Sequence, residues 1–326
     1  NIDIKDSDMF PPWLQKLGLW YRTLFNFPDG QFGWYRTAVR TGGELIKKWQ
    51  PDIIYASAMP FTSLWVASHL SDKHDIPWVG ELRDLWVSSP YYDYPSSRKL
   101  IERIFERSVL KNVSGLVTVS EPLASVLRKE NNVPVKTILN GFDPDDYQTS
   151  DFEPSDQGPL VITYTGIVYP GRRDPSPLFE AIQRMRWDKT KIKVRFYGRK
   201  LQDVKSIASY YGVDDVVEIN SQVSYKESVR LQQESDVLLL LLWNHPEEKG
   251  VFTGKLFEYI GARRPVLSIG LENGVAAELI QSSNLGIATN DPDVIANQIE
   301  HWHADKKSGG IPSLSIDICT NFTRQA

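Results

Sequence analysis

Lys255 and Glu258 stand one helical turn apart in the stretch Gly250 to Leu267, GVFTGKLFEYIGARRPVL, behind a loop bracketed by Gly250 and Gly254. On a helix beginning at Lys255, the two side chains share a face. The free N–H groups and positive dipole end of such a helix start favour an anion. A phosphate could rest there with the Lys255 ammonium beside it, while the Glu258 carboxylate accepts hydrogen bonds from a sugar's hydroxyls. The same spacing equally suits a solvated ion pair. A second pair, Arg83-Asp84, closes the phrase PWVGELRDLW. There a carboxylate could orient a hydroxyl and a guanidinium could hold the carboxylate or a phosphate, although a structural Arg-Asp pair explains it as well.

The elements that must position these residues alternate in type. Asp236 to Leu242 is a short apolar run suited to a strand buried on both faces. Leu256, Tyr259 and Ile260 then recur at helical spacing, Gly261 is placed to cap that helix, and Pro265 opens another apolar strand. Upstream, after Gly42-Gly43, a helix through Leu45 and Ile46 ends before Pro51. Strands are expected at 52–56, 77–82, 114–119 and 135–139, with helices at 61–72, 98–111 and 120–128, the last capped by Ser120. A polar stretch follows. Beyond it, strands are expected at 160–164, 193–198, 216–219, 265–269 and 284–288, and helices from Leu178, at 275–280 and at 292–302. Such alternation implies parallel sheets joined by right-handed crossovers. The domains are placed at 1–142 and 159–304, with a linker at 143–158 and a C-terminal tail at 305–326. Asp143, Asp145 and Asp146 lie in that linker without the further ligands a hard cation needs, and are read as solvated. His301 and His303 are read as surface residues.

The segment ending G-K-L-F-E-Y and Pro-Val-Leu resembles the donor-site motif of the retaining family 4 glycosyltransferases of GT-B fold. The phrases PDIIYASAMPFTS, PWVGELRDLW, GLVTVSEPLASVLRKE and ILNGFDPDDY are similar, in order and spacing, to the N-terminal domain of that family. The resemblance covers roughly residues 27 to 300. It implies an α/β architecture of two Rossmann-like, doubly wound domains facing a central cleft. The expected activity is a hexosyltransferase-type transfer of a sugar, with retention, from a nucleotide diphosphate sugar (UDP- or GDP-type) to a sugar or lipid-linked acceptor, as in polysaccharide biosynthesis. Lys255 then becomes a diphosphate ligand and Glu258 a ribose ligand, with Phe252, Thr253 and Gly254 in the donor loop. Gly166, Arg172 and Arg173 match the family's first donor-domain loop, where a basic side chain meets the diphosphate, and Arg172 aligns best. Val223 and Tyr225 fall where the base is lined, and Arg199 at a neighbouring strand end, where surface charge is its competing reading. Arg83 and Asp84 fall where the N-terminal domain faces the sugar and the acceptor. Lys255, Arg172, Asp84 and Arg83 are thus the catalytic candidates.

The chain departs from the family at Gly250, where the commoner pattern has a Glu contacting the transferred sugar; Glu247 and Glu248 lie nearby. Two alternatives follow: a nucleotide-sugar epimerase of the same fold, and a catalytically inactive sugar-nucleotide-binding protein. The family opens with a strand, a glycine turn and further units before the segment equivalent to Pro51-Asp52-Ile53-Ile54. Those are not found in the first fifty or so residues here, so the N-terminal domain is expected to be incomplete, lacking roughly 80 residues.

The chain has 326 residues, 41% hydrophobic and 24% charged, enough for two ordinary domains. Its net charge of -4 argues against a general nucleic-acid binder. A single cysteine, Cys319, leaves no intrachain disulfide framework or cysteine-rich zinc site and fits a reducing, cytoplasmic compartment. No cofactor or metal is called for. Residues 10 to 36, FPPWLQKLGLWYRTLFNFPDGQFGWYR, concentrate aromatics with Lys16, Arg22 and Arg36. Trp13, Leu14, Leu17 and Trp20 or Tyr21 recur at helical spacing. This suits either packing on their own domain or a helix in a lipid interface, which would put the protein on the inner face of the plasma membrane with a lipid-linked acceptor.

Overall fold

The structure, a computed structural model, describes residues 26–92, 94–147, 154, 157–185, 188 and 190–325. The aromatic positions expected between 10 and 25 lie outside them. The chain divides into two compact units, Asn1–Ile138 and Leu139–Ala326. The break falls just before the expected linker, and the short 3-10 turn Pro144–Tyr147 belongs to the second unit.

The first unit is a parallel sheet in sequential order, β1 (Ile54–Ala58), β2 (Trp78–Leu82), β3 (Gly115–Thr118) and β4 (Val135–Thr137). It carries α1 (Tyr35–Trp49), α2 (Thr62–His74), α3 (Ser96–Leu110) and α4 (Glu121–Glu130). Its core gathers Leu64, Trp78, Leu82, Trp86, Leu116 and Leu127. Among the described residues, β1 forms a sheet edge with Tyr55 exposed. Helix α1 corrects one expectation, since Gly42 and Gly43 lie inside it rather than ahead of it. A Cβ on Gly42 would come within 2.6 Å of Leu70 Cδ1, and one on Gly43 within 3.2 Å of His74 Nε2. The glycines therefore let α1 lie close on α2, a gain that offsets their low helix propensity. At the start of α2 the cap comes from far away in sequence. Asp29 accepts from the Thr62 N–H at 2.8 Å and from its hydroxyl at 3.0 Å. Of the described part of the aromatic stretch, Phe27 packs on Phe105 and Tyr35 stacks on Trp65, while Phe32 and Trp34 remain exposed.

The second unit is a six-stranded parallel sheet in order β10-β9-β8-β5-β6-β7. These are β5 (Leu160–Thr165), β6 (Ile192–Tyr197), β7 (Val217–Asn220), β8 (Val237–Leu241), β9 (Val266–Ile269) and β10 (Gly286–Ala288). Helices α5 (Ser176–Met185), α6 (Gln202–Tyr211), α7 (Tyr225–Gln233), α8 (Gly254–Gly261), α9 (Val275–Ser282) and α10 (Pro292–Lys307) cover it. The apolar run of β8 serves both faces: Val237, Leu239 and Leu241 join one core cluster, and Leu238, Leu240 and Leu242 the other. Strand order reverses between β5 and β8, which opens a crevice at their carboxyl ends. The expected tail is built into this unit. It holds α11 (Ile316–Thr320), and Phe142 exchanges backbone hydrogen bonds with Phe322 and Arg324.

Candidate functional site

The site grows from the loop after β5. Gly166 has φ +139°, a conformation that side chains resist, and its N–H donates to the Tyr197 carbonyl at 2.7 Å. A Cβ on Gly198, after β6, would lie 1.8 Å from the Gly166 oxygen, so this crossing requires glycine at 198 as well. From the other side Lys255 reaches in, on the first turn of α8. Thr253 caps that helix, its Oγ1 accepting from the Lys255 N–H at 3.4 Å. A Cβ on Gly254 would meet nothing within 4 Å, so the helix start faces open space.

Lys255, Glu258, Gly166, Arg199, Val223 and Tyr225 line one cavity of about 280 Å³, together with Thr165, Ile167, Tyr197, Gly198, Gln222 and Ser228. Burial, with Arg173 nearby, holds the Lys255 ammonium below the ordinary lysine pKa, and Glu258 opposes the shift. Glu258 is held in turn: Gln232, fully buried on α7, donates from Nε2 to Glu258 Oε2 at 3.3 Å. The same nitrogen lies 3.1 Å from Thr165 Oγ1 and 3.2 Å from Ser228 Oγ. Tyr225 opens α7 behind the Ser224 cap, whose Oγ accepts from the Glu227 N–H at 3.2 Å. The Tyr225 hydroxyl donates to Asp146 Oδ2 at 2.8 Å. Asp146, read as a solvated linker residue, therefore anchors a side chain of the cavity wall.

The two arginines of the YPGRRDPSP loop part company. Arg173 Nη1 donates to the Ile167 carbonyl at 2.9 Å and lies 3.2 Å from the Tyr164 hydroxyl, behind the Gly166 turn. Arg172, the better match by spacing, lies 4.7 Å from the Trp243 ring and does not line the cavity. Phe252 also turns away, packing edge-on against Phe257 in the core. Gly250 ends the 3-10 turn Pro246–Gly250 and is buried. Of the nearby acids, Glu248 is buried and Glu247 is exposed beside His245. Gly261 is the last buried residue of α8 rather than its left-handed cap. Tyr147 and Phe142 occupy the space of its missing Cβ, and the left-handed residue is Arg263, with φ +59°. Gln232 and Thr165 escaped the sequence reading because a polar residue beside an apolar strand looks the same whether it faces solvent or a buried carboxylate.

In the first unit, Arg83 and Asp84 follow β2 directly and are exposed. The protein mass around the Asp84 carboxyl raises its pKa, with Arg83 pulling it down. Among the described residues, no group of His, Cys, Asp and Glu is arranged to hold a metal ion, and no helix is long and apolar enough to cross a membrane.

Residues 10–146 match the family described as Glycosyltransferase Family 4. No curated protein matches the sequence. The fold is that of solved GT-B structures. Anabaena Alr3699/HepE in complex with UDP is 18% identical, covers 89% of this chain and 78% of its own, and superposes with a TM-score of 0.66. Sucrose-phosphate synthase from Thermosynechococcus elongatus is 15% identical over 90% and 76%, with a TM-score of 0.61. The lipopolysaccharide outer core galactosyltransferase WaaB is 14% identical over 89% and 76%, with a TM-score of 0.57.

Proposed function

We infer that this chain, a glycosyltransferase by its family 4 domain and GT-B fold, transfers a sugar with retention from a nucleoside diphosphate donor bound in the cavity of its second unit. The observation that carries the donor reading is convergence. Gly166, Arg199, Val223, Tyr225, Lys255 and Glu258, drawn from four separate segments, line the same cavity. UDP and UDP-glucose are bound by the similar HepE, and a uridine diphosphate donor is the first choice here.

In this reading Lys255 and the N–H groups at the start of α8 meet the diphosphate, Glu258 takes the ribose hydroxyls, and Val223 and Tyr225 bound the base. When the glycosidic bond breaks, negative charge grows on the leaving diphosphate. A cation held in a dry, preorganised place stabilises this added charge more than it stabilises the bound donor, whose diphosphate carries less negative charge. Arg173 reinforces the positive field behind Gly166. The acceptor hydroxyl gives its proton to the departing phosphate, and Arg83 and Asp84 orient that acceptor, a sugar or lipid-linked sugar at a membrane surface.

Thermal shift with UDP, GDP and ADP tests the donor, since a ligand at about 100 times its Kd stabilises by about 2.7 kcal/mol. Anomeric analysis of the transferred sugar by NMR tests retention. A second reading is kept open by the likeness, at TM-score 0.51 and 14% identity, to a UDP-N-acetylglucosamine 2-epimerase. A new sugar isomer formed from donor alone, without any acceptor, would decide for it.

A further inference from the structure

Tyr147 carries a hydroxyl that its packing does not explain. The residue ends the 3-10 turn Pro144–Tyr147 in the second unit, and its ring packs edge-on against Phe142, with centroids 5.4 Å apart. A Cβ on Gly261 would lie 2.7 Å from Tyr147 Cε2 and 2.8 Å from its Cζ, so the ring fills the groove that this glycine leaves on α8. A phenylalanine would fill it equally. The Tyr147 hydroxyl oxygen is buried and, among the described residues, has no hydrogen-bond partner. Burying a polar group unpaired costs stability, so a residue that served only to pack would lack it.

The hydroxyl stands beside the groups assigned to the nucleotide. Gly261 lies three residues after Glu258, on the same face of α8, and the ring carbon that bears the hydroxyl sits against it. Burial raises the Tyr147 pKa first, and the neighbouring Tyr225, Glu258 and Asp146 raise it further. Tyr225 already gives its own hydroxyl hydrogen to Asp146, at 2.8 Å. Glu258 has room for another donor. A carboxylate offers about four lone-pair sites, of which a ribose diol takes two and Gln232 one. Gln232 Nε2 has two hydrogens for three oxygens, Thr165 Oγ1 at 3.1 Å, Ser228 Oγ at 3.2 Å and Glu258 Oε2 at 3.3 Å, so its hold on the carboxylate is shared. The Tyr147 hydroxyl supplies the donor that this count leaves open.

We propose that Tyr147 is a positioning residue of the donor cavity: with a nucleotide bound, its hydroxyl donates to the Glu258 carboxylate, so that Tyr147 and Gln232, from two separate segments, hold that carboxylate for the ribose hydroxyls. The inference deepens the donor reading and rests on it. It also gives the turn 144–147 a part in donor binding, with Asp146 holding Tyr225 and Tyr147 holding Glu258.

Calorimetry on the full chain tests it, using the tightest-binding of UDP, GDP and ADP and the 2′,3′-dideoxy form of the same nucleotide. Tyr147→Phe, which removes the hydroxyl and keeps the ring, should lower ribonucleotide affinity roughly tenfold and leave dideoxynucleotide affinity at the parent's value. Without nucleotide, its unfolding temperature should match or exceed the parent's, since an unpaired buried hydroxyl is gone. In a Glu258→Ala background Tyr147→Phe should cost no further affinity, because it acts through the carboxylate. Parent-like ribonucleotide affinity in Tyr147→Phe overturns the proposal. So does an equal loss for both nucleotides, or a lowered unfolding temperature, either of which would make the hydroxyl a structural group. A parent that binds none of the three diphosphates overturns the donor reading itself and this proposal with it.

Discussion

Lys255 lies against the backbone of Gly166. A Cβ on that glycine would stand 2.2 Å from Lys255 Cε and 2.5 Å from Nζ. The ammonium thus occupies the place a side chain would take, and φ +139° at Gly166 disfavours one independently. Gly166→Ala is expected to cost about 1–3 kcal/mol of stability and to push the lysine out of position. Calorimetry with UDP should find affinity reduced by roughly tenfold or more. Parent-like affinity would show that the lysine acts from elsewhere.

The Lys255 pKa is below the ordinary lysine value, through burial first and Arg173 second. Only the protonated form attracts a diphosphate, so affinity should fall with rising pH earlier than an ordinary lysine would allow. Arg173→Ala removes a lowering charge and should move that fall to higher pH. Arg172→Ala, beside Trp243, should leave it in place. Lys255→Ala should reduce transfer by roughly a hundredfold or more and abolish this pH dependence. Near-normal turnover in Lys255→Ala would remove the leaving-group role.

Gln232 holds Glu258 through a 3.3 Å hydrogen bond in a fully buried position. Gln232→Glu would set two carboxylates together where both cannot ionise. Nucleotide affinity in that variant should be close to that of the parent at low pH and should fall as pH rises. Glu258→Gln should shrink the difference between ribose and deoxyribose nucleotides. An unchanged difference would refute the ribose role, whereas a pH-independent Gln232→Glu variant would refute only the positioning by Gln232.

Lys306, at the end of α10, meets Asp236 just before β8 at 2.6 Å, both side chains being almost fully buried. Asp236 also accepts from the Val161 N–H at 2.7 Å and so ties β5 to β8 at the start of both strands. Lys306→Met leaves an unpaired buried carboxylate and should destabilise the second unit by about 3–5 kcal/mol. Chemical denaturation followed by the fluorescence of Trp243 and Trp302 would measure it. A change under about 1 kcal/mol would mean that Asp236 is satisfied by the backbone alone.

Legibility in the sequence followed the range of the interaction. The alternation of strands and helices, the apolar run of β8 and the cap Ser120 depend on neighbours within a turn or two, so local pattern revealed the α/β units. The Lys255 and Glu258 spacing was equally visible, and so was the glycine at 166. What they touch was not. Gly42 and Gly43 looked like a helix boundary because glycine is a poor helix former, and only the close approach of Leu70 and His74 makes them interior residues of α1. Arg172 and Arg173 have the same chemistry one residue apart. A turn at 169–173 sends one to Trp243 and the other to the Ile167 carbonyl, a choice made by segments far along the chain. Composition and spacing fix what each segment can do, while hydrogen bonds and contacts between distant segments select which side chains share a cavity.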